Sequence, residues 1–166
     1  MINGAVKPIC LNWSNSIDVL QRSGQIGLVA GMGITDNDTF SATLRVTSVK
    51  LVSDDECRDS QKKDFWKYIT YTSFCAGWLN GSAVCNGDSG GGLVFRRPNS
   101  TIWDIHGVVS ISPRRIGTSI CDPHYYTIFT KVAVYSDWIM GILNTLPVIG
   151  PPDTELMPNN DVVLNY

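Results

Sequence analysis

Ser89 lies in the run Cys85-Asn86-Gly87-Asp88-Ser89-Gly90-Gly91, whose residue types suit acyl transfer. A serine hydroxyl is a weak nucleophile. It needs a fixed position, a base, and donors for the oxyanion that forms after attack on a carbonyl. Glycines before and after Ser89 let the backbone turn tightly and approach a substrate closely. The run contains no base, and the 166-residue chain has only two histidines, His106 and His124. His106 falls in a segment that reads as a strand, and His124 in the loop Cys121-Asp122-Pro123-His124. Neither is expected within hydrogen-bond reach of Ser89, which a general base requires.

The elements around this run are largely extended. Residues 42–52 alternate as a half-buried strand does, with Leu44 and Val46 facing opposite Arg45 and Thr47. Ser53-Asp54-Asp55-Glu56 has serine at a cap position and glutamate three residues on, predicting a short helix over residues 54–60. Residues 90–95 re-enter a sheet directly after Ser89, and 103–110 and 125–132 read as further strands. Residues 135–146 place Trp138, Ile139, Ile142, Leu143 and Leu146 at helical spacing, and Pro147 ends that helix. The segment 147–166 is a Pro-rich acidic tail, expected to be disordered.

The run around Ser89 resembles the C-x-G-D-S-G-G nucleophile loop of the chymotrypsin/trypsin-like serine proteases. Val6-Lys7-Pro8-Ile9-Cys10-Leu11 resembles the V-x-P-I-C-L segment that links the two barrels of that family. Residues 25–33 resemble the strand opening its second barrel, and Trp103 to Ser110 its G-I-V-S strand. The resemblance runs from Val6 to Leu146. It implies an all-β fold: the second six-stranded antiparallel β-barrel of a chymotrypsin-like double barrel, with a short helix and a C-terminal helix. Residues 1–146 would be a partial peptidase domain.

The resemblance also assigns roles. Ser89 would be the nucleophile, the Gly87 and Ser89 amides the oxyanion hole, and Asp88 the carboxylate that pairs with a new amino terminus on activation. Ala83 stands where trypsin-like enzymes carry the aspartate that binds Lys or Arg, so cleavage after those residues is not expected. Ser112 and Thr127 occupy pocket-wall positions that are often glycine, which favours small apolar side chains or blocks the pocket. Ser110 would offer backbone hydrogen bonds to a docked substrate strand. The pairing implied for the cysteines is Cys57–Cys75 and Cys85–Cys121. Cys10 is left over, and in relatives its counterpart commonly bonds an upstream segment. Relatives usually have proline where Gly92 stands, and the loop 111–120 is longer than in many of them. The family's A-A-H-C and D-I-A-L motifs, which carry its catalytic His and Asp, do not occur in this sequence. No cofactor and no metal are implied.

Composition narrows the partners. With 43% hydrophobic residues the chain can build a core. Net charge is −2, and setting aside Asp153, Glu155 and Asp161 of the tail leaves +1. Lys62-Lys63, Arg96-Arg97 and Arg114-Arg115 are short pairs suited to solvated loops, so no nucleic-acid surface is expected. No segment is long and apolar enough to span a membrane. Five cysteines fit an oxidising compartment. Four sequons, at Asn12, Asn37, Asn80 and Asn99, agree with secretion.

Residues 1–11 lack the basic start, apolar run and cleavage site of an export signal. The expectation is therefore an N-terminally incomplete chain: the C-terminal half of a secreted serine endopeptidase acting on peptide or protein substrates. Its subfamily resemblance is to modular haemolymph proteases of arthropod cascades. The alternative is a non-catalytic protease homologue used for binding.

Overall fold

The computed structural model describes residues 8–11 and 23–145. The sequon at Asn12, Leu146 and the tail 147–166 lie outside the described residues. Six strands form a closed antiparallel barrel: β1 (Ile26–Gly31), β2 (Arg45–Val52), β3 (Ser73–Gly77), β4 (Gly92–Arg96), β5 (Trp103–Ile111) and β6 (Thr127–Lys131). Around the barrel the order is β1-β2-β3-β6-β5-β4. Closure leaves no unpaired edge. Helix α1 (Asp54–Ser60) follows β2, a 3₁₀ turn spans Lys63–Tyr68, and helix α2 (Ser136–Leu143) follows β6.

Inward-facing side chains alternate along the strands. Val29, Val49, Leu51, Phe74, Leu93, Val109 and Phe129 fill the barrel. Phe74 and Phe129 stack on neighbouring strands with ring centroids 5.5 Å apart. A second cluster joins Val52, Cys57, Ile69, Cys75, Tyr126 and Ile128 beneath α1. Here the Cys57–Cys75 disulfide ties α1 to β3. Ser53 caps α1 as its sequence predicts, its Oγ accepting from the Glu56 amide at 3.1 Å. The Tyr126 hydroxyl donates to Glu56 Oε1 at 2.7 Å. Burial, then that carboxylate, pushes the phenol up to about 12.

The alternation expected around residues 42–52 is present, but its apolar members divide differently. The strand begins at Arg45. Val46 is 63% exposed and Leu44 67%, whereas Val49 and Leu51 are fully buried. The barrel interior takes the odd-numbered side chains of β2, and Val46 faces outward. There it joins Ile9, Leu28, Ala30, Val94, Trp103 and Ile105 around an open apolar groove of about 460 Å³. Helix α2 has the expected apolar spacing, yet none of its residues is buried, and Trp138 is 67% exposed. Sequence periodicity identifies an apolar face without identifying what covers it.

At the end of β4 a buried ion pair organises the hairpin to β5. Arg97 donates from Nε and Nη2 to Asp104 Oδ2 and Oδ1 at 2.6 and 2.7 Å, a two-pronged geometry suited to a desolvated carboxylate. Two residues on, His106 packs edge-to-face on Phe95 at 5.2 Å. Burial holds its imidazole below the ordinary value; Asp104 opposes that shift and Arg97 adds to it. The native state therefore resists a proton that the unfolded chain accepts near pH 6.5. Stability should be level above that pH and fall as pH drops through it. Urea midpoints at pH 7.5 and 5.5 check this: the wild-type midpoint should drop, and the drop should shrink in His106→Gln. An equal drop in both would exclude His106 as its source.

Candidate active site

The segment before Ser89 leaves the core at Val84 and Cys85, which are buried, and makes two consecutive turns. The Asp88 amide donates to the Cys85 carbonyl at 3.0 Å, and the Gly91 amide to the Asp88 carbonyl at 2.9 Å. Each turn has glycine as its third residue, with φ of +97° at Gly87 and +85° at Gly90, as type II geometry requires. A side chain at Gly87 has no room: a Cβ there would lie 2.8 Å from Phe40 Cε1 and 3.1 Å from Gly33 Cα. Beyond the turns, Gly90 donates to the Val109 carbonyl and Val109 to the Gly91 carbonyl, both at 2.9 Å. These bonds fix the exit of the loop on β5.

Ser89 is exposed at the crest between the two turns. Among the described residues its hydroxyl has no hydrogen-bond partner, and neither the Gly87 nor the Ser89 amide donates a hydrogen bond. The Asp88 carboxylate points the other way, beneath the loop. Its Oδ1 accepts from the Gly33 amide at 2.8 Å and its Oδ2 from the Cys85 amide at 3.1 Å. Next to it opens a polar cavity of about 550 Å³, lined by Gly31, Gly33, Asp36, Arg45, Asn80, Ser82 and Asp88.

The Cys85–Cys121 disulfide joins the loop to the facing segment. Both bridges are thus the pairs that the resemblance implies, and Cys10 stands outside them. Cys10 instead extends the sheet through its backbone, the Ile105 amide donating to its carbonyl at 3.0 Å. Ser110 sits where β5 breaks register with β6: Val109 faces Phe129 and Ile111 faces Ile128, which leaves Ser110 between them, exposed. The irregularity leaves Ser110 out of the β5–β6 register. Ser112 and Thr127 come together, their hydroxyls 2.9 Å apart, with Ser112 Oγ also 3.4 Å from the Val84 carbonyl. Ala83 precedes Val84, half-buried.

Neither histidine is brought to Ser89. His106 is buried on β5, and His124, 70% exposed, lies 3.3 Å through Nδ1 from Asp122 Oδ1. Sequence reading missed the amides of Gly33 and Ile34, which hold Asp88 and the Asn86 carbonyl, the latter at 2.9 Å. It also missed the ion pair between Arg115 and Asp38, which ties two surface loops together. Backbone donors leave no mark on side-chain identity, and Asp38 and Arg115 are far apart in the chain.

The chain matches the family model described as Trypsin over residues 1–139. It is 33% identical over 141 residues to the CLIP domain-containing serine protease HP8 of Bombyx mori, covering 85% of this chain and 37% of that protein. It is 34% identical over 139 residues to Limulus clotting factor C of Carcinoscorpius rotundicauda, covering 81% of this chain and 13% of that protein. Against the Complement C1s-1 subcomponent of Mus musculus the identity is 34% over 142 residues, covering 81% of this chain and 19% of that protein. The chain therefore spans well under half the length of these relatives.

Proposed function

Given that this chain belongs to the trypsin family of serine proteases, we propose that it supplies the nucleophile half of a serine endopeptidase. Ser89 Oγ bonds the carbonyl carbon of a peptide while a base takes its proton. The Gly87 and Ser89 amides stabilise the oxyanion. The C–N bond then breaks, the proton passes to the leaving amine, and water releases the acyl group. The observation that carries this reading is the double turn, which exposes Ser89 beside two amides that donate to nothing else among the described residues.

The base and its carboxylate partner would come from polypeptide outside this sequence. In its support, an apolar groove lies on the barrel's outer face and the apolar side of α2 is unburied. A first barrel seated there would cover both and bring a histidine to Ser89. By itself the chain is expected to cleave nothing and to self-associate through that face. Asp88, beside its polar cavity, is read as the carboxylate that receives a newly released amino terminus. Extracellular residence is proposed from the two disulfides and from three sequons, at Asn37, Asn80 and Asn99, on exposed residues.

Ser112 and Thr127, whose hydroxyls bond each other, stand at the positions that the resemblance makes pocket walls, so the substrate residue before the cleaved bond should be small. The test is a panel of peptide anilides with Ala, Leu, Phe or Lys at that position, assayed on the activated full-length protein. Ala should lead and Lys should fail, and Thr127→Gly should raise kcat/KM for Phe relative to Ala by about tenfold or more. Efficient wild-type cleavage after Lys would overturn the assignment of Ala83. An unchanged Phe-to-Ala ratio in Thr127→Gly would remove Thr127 from the pocket.

A further inference from the structure

We propose that Asn86 is a positioning residue for the acyl-transfer step: its side chain holds the Asn86–Gly87 peptide in the orientation that aims the Gly87 N–H at the oxyanion. The inference rests on the reading of Ser89 as nucleophile and of the Gly87 amide as an oxyanion donor.

A four-residue turn has one soft element, the central peptide. Rotating that plane by half a turn converts type II into type I with little movement of the ends, and changes φ of the third residue from about +80° to about −90°. Glycine tolerates both. Nothing intrinsic to Gly87 therefore selects the observed φ of +97°. Yet the N–H of this same peptide is the donor the chemistry needs, and a flip would turn a carbonyl toward the developing negative charge.

The plane is held from two sides. Its carbonyl, Asn86 O, accepts from the Ile34 amide at 2.9 Å, and in a trans peptide the N–H then points the opposite way. The Asn86 side chain holds the facing segment at both of its polar atoms. Oδ1 accepts from the Cys121 amide at 3.0 Å, and Nδ2 donates to the Ser119 carbonyl at 3.1 Å. These partners settle which amide atom is which, because a backbone N–H can only donate and a carbonyl can only accept. Residues 119 and 121 thus use the amide as if it were an adjoining strand. The Cys85–Cys121 bridge anchors the preceding residue to the same segment. Aspartate would keep the Cys121 bond and set a charged oxygen against the Ser119 carbonyl. Alanine would lose both bonds, and glutamine would reach one methylene too far.

The test uses the activated full-length protein and its Asn86→Ala, Asn86→Asp, Asn86→Gln and Ser89→Ala variants. Turnover of the wild type and of the Asn86 variants is normalised to the fraction labelled by a fluorophosphonate at completion, so misfolded molecules drop out. Turnover of Ser89→Ala is normalised to total folded protein. Two probes separate the states. A peptide aldehyde lets the Ser89 hydroxyl add across its carbonyl, leaving a hemiacetal oxygen where the oxyanion forms. The matching peptide alcohol binds without reacting. Asn86→Ala should lower kcat about tenfold to a hundredfold with KM within twofold, since losing an oxyanion donor outright costs about 10² to 10³. Aldehyde affinity should fall by the same factor while alcohol affinity holds. Asn86→Asp should be at least as impaired, and Asn86→Gln no better than Asn86→Ala.

An unchanged kcat in Asn86→Ala overturns the proposal. So does a loss confined to KM with the alcohol weakened in parallel, which would make Asn86 a substrate contact. Retained turnover in Ser89→Ala would instead remove the underlying reading.

Discussion

Replacing Ser89 by alanine is expected to abolish fluorophosphonate labelling of the full-length protein and to lower kcat by about 10⁶-fold, the scale on which nucleophile removal acts in serine proteases. The size of the effect follows from the division of labour. Without the Ser89 hydroxyl the proposed oxyanion donors, the amides at positions 87 and 89, would still polarise a carbonyl, and that remnant of catalysis is worth about 10³ to 10⁴ over water. What disappears is the covalent step itself. The substitution should cost little stability, because Ser89 is exposed and its hydroxyl bonds nothing among the described residues. Equal unfolding midpoints with abolished labelling would be the signature of a purely chemical role. Persistent labelling of Ser89→Ala would show that another residue is the nucleophile and would sink the proposed mechanism.

The second large effect should come from Asp88→Ala. The carboxylate satisfies the Gly33 and Cys85 amides at once, linking the segment that follows β1 to the loop from below. Removing an acceptor from part-buried donors costs about 1–3 kcal/mol per donor when no water replaces it, so the unfolding midpoint should fall measurably. Activity should fall further, by about 10³-fold, since the loop would lose both its support and the proposed partner of the new amino terminus. Asp88→Asn separates these losses. It keeps one acceptor oxygen, sets an NH₂ group against the other backbone donor, and removes the charge. Stability should be intermediate and activity as low as in Asp88→Ala. Wild-type turnover in Asp88→Asn would show that the charge is not needed. Gly31→Ala offers an independent check, because a Cβ there would lie 1.9 Å from Asp88 Oδ1 and displace it. Kinetic assays and urea titrations on the three variants distinguish the outcomes.

Much of the site was legible because its chemistry is local. Six consecutive residues from Cys85 to Gly90 set two turns, and glycine at the third position of each permits the positive φ found there. The capping box before α1 was equally readable, since Ser53 and Glu56 meet within one helical turn. The implied disulfide pairs came from the resemblance and not from spacing, which leaves several pairings open for five cysteines. Boundaries slipped where tertiary pairing decides them. Strand β4 starts at Gly92 rather than next to Ser89, because Gly90 and Gly91 spend their backbone bonds on Val109 across the loop.

The faces of the strands were the harder part. Residues 44–52 alternate, and alternation alone cannot say which parity faces inward when both carry valine or leucine. Closure of the barrel chose the odd-numbered side chains of β2 and left Val46 outside. In the same way, sequence placed Ser112 and Thr127 on pocket walls only by resemblance. That their hydroxyls bond each other depends on β5 and β6 lying side by side.

By itself, then, the sequence determined the family, the reactive loop and the turns that expose Ser89, because those depend on residues close together in the chain and on the conformational freedom of glycine. Only the tertiary structure decided which amides hold Asp88 and which way the Asn86–Gly87 peptide points. Those depend on backbone donors from Gly33, Ile34 and Cys121, and a backbone N–H is carried by every residue type but proline, so side-chain identity does not announce it.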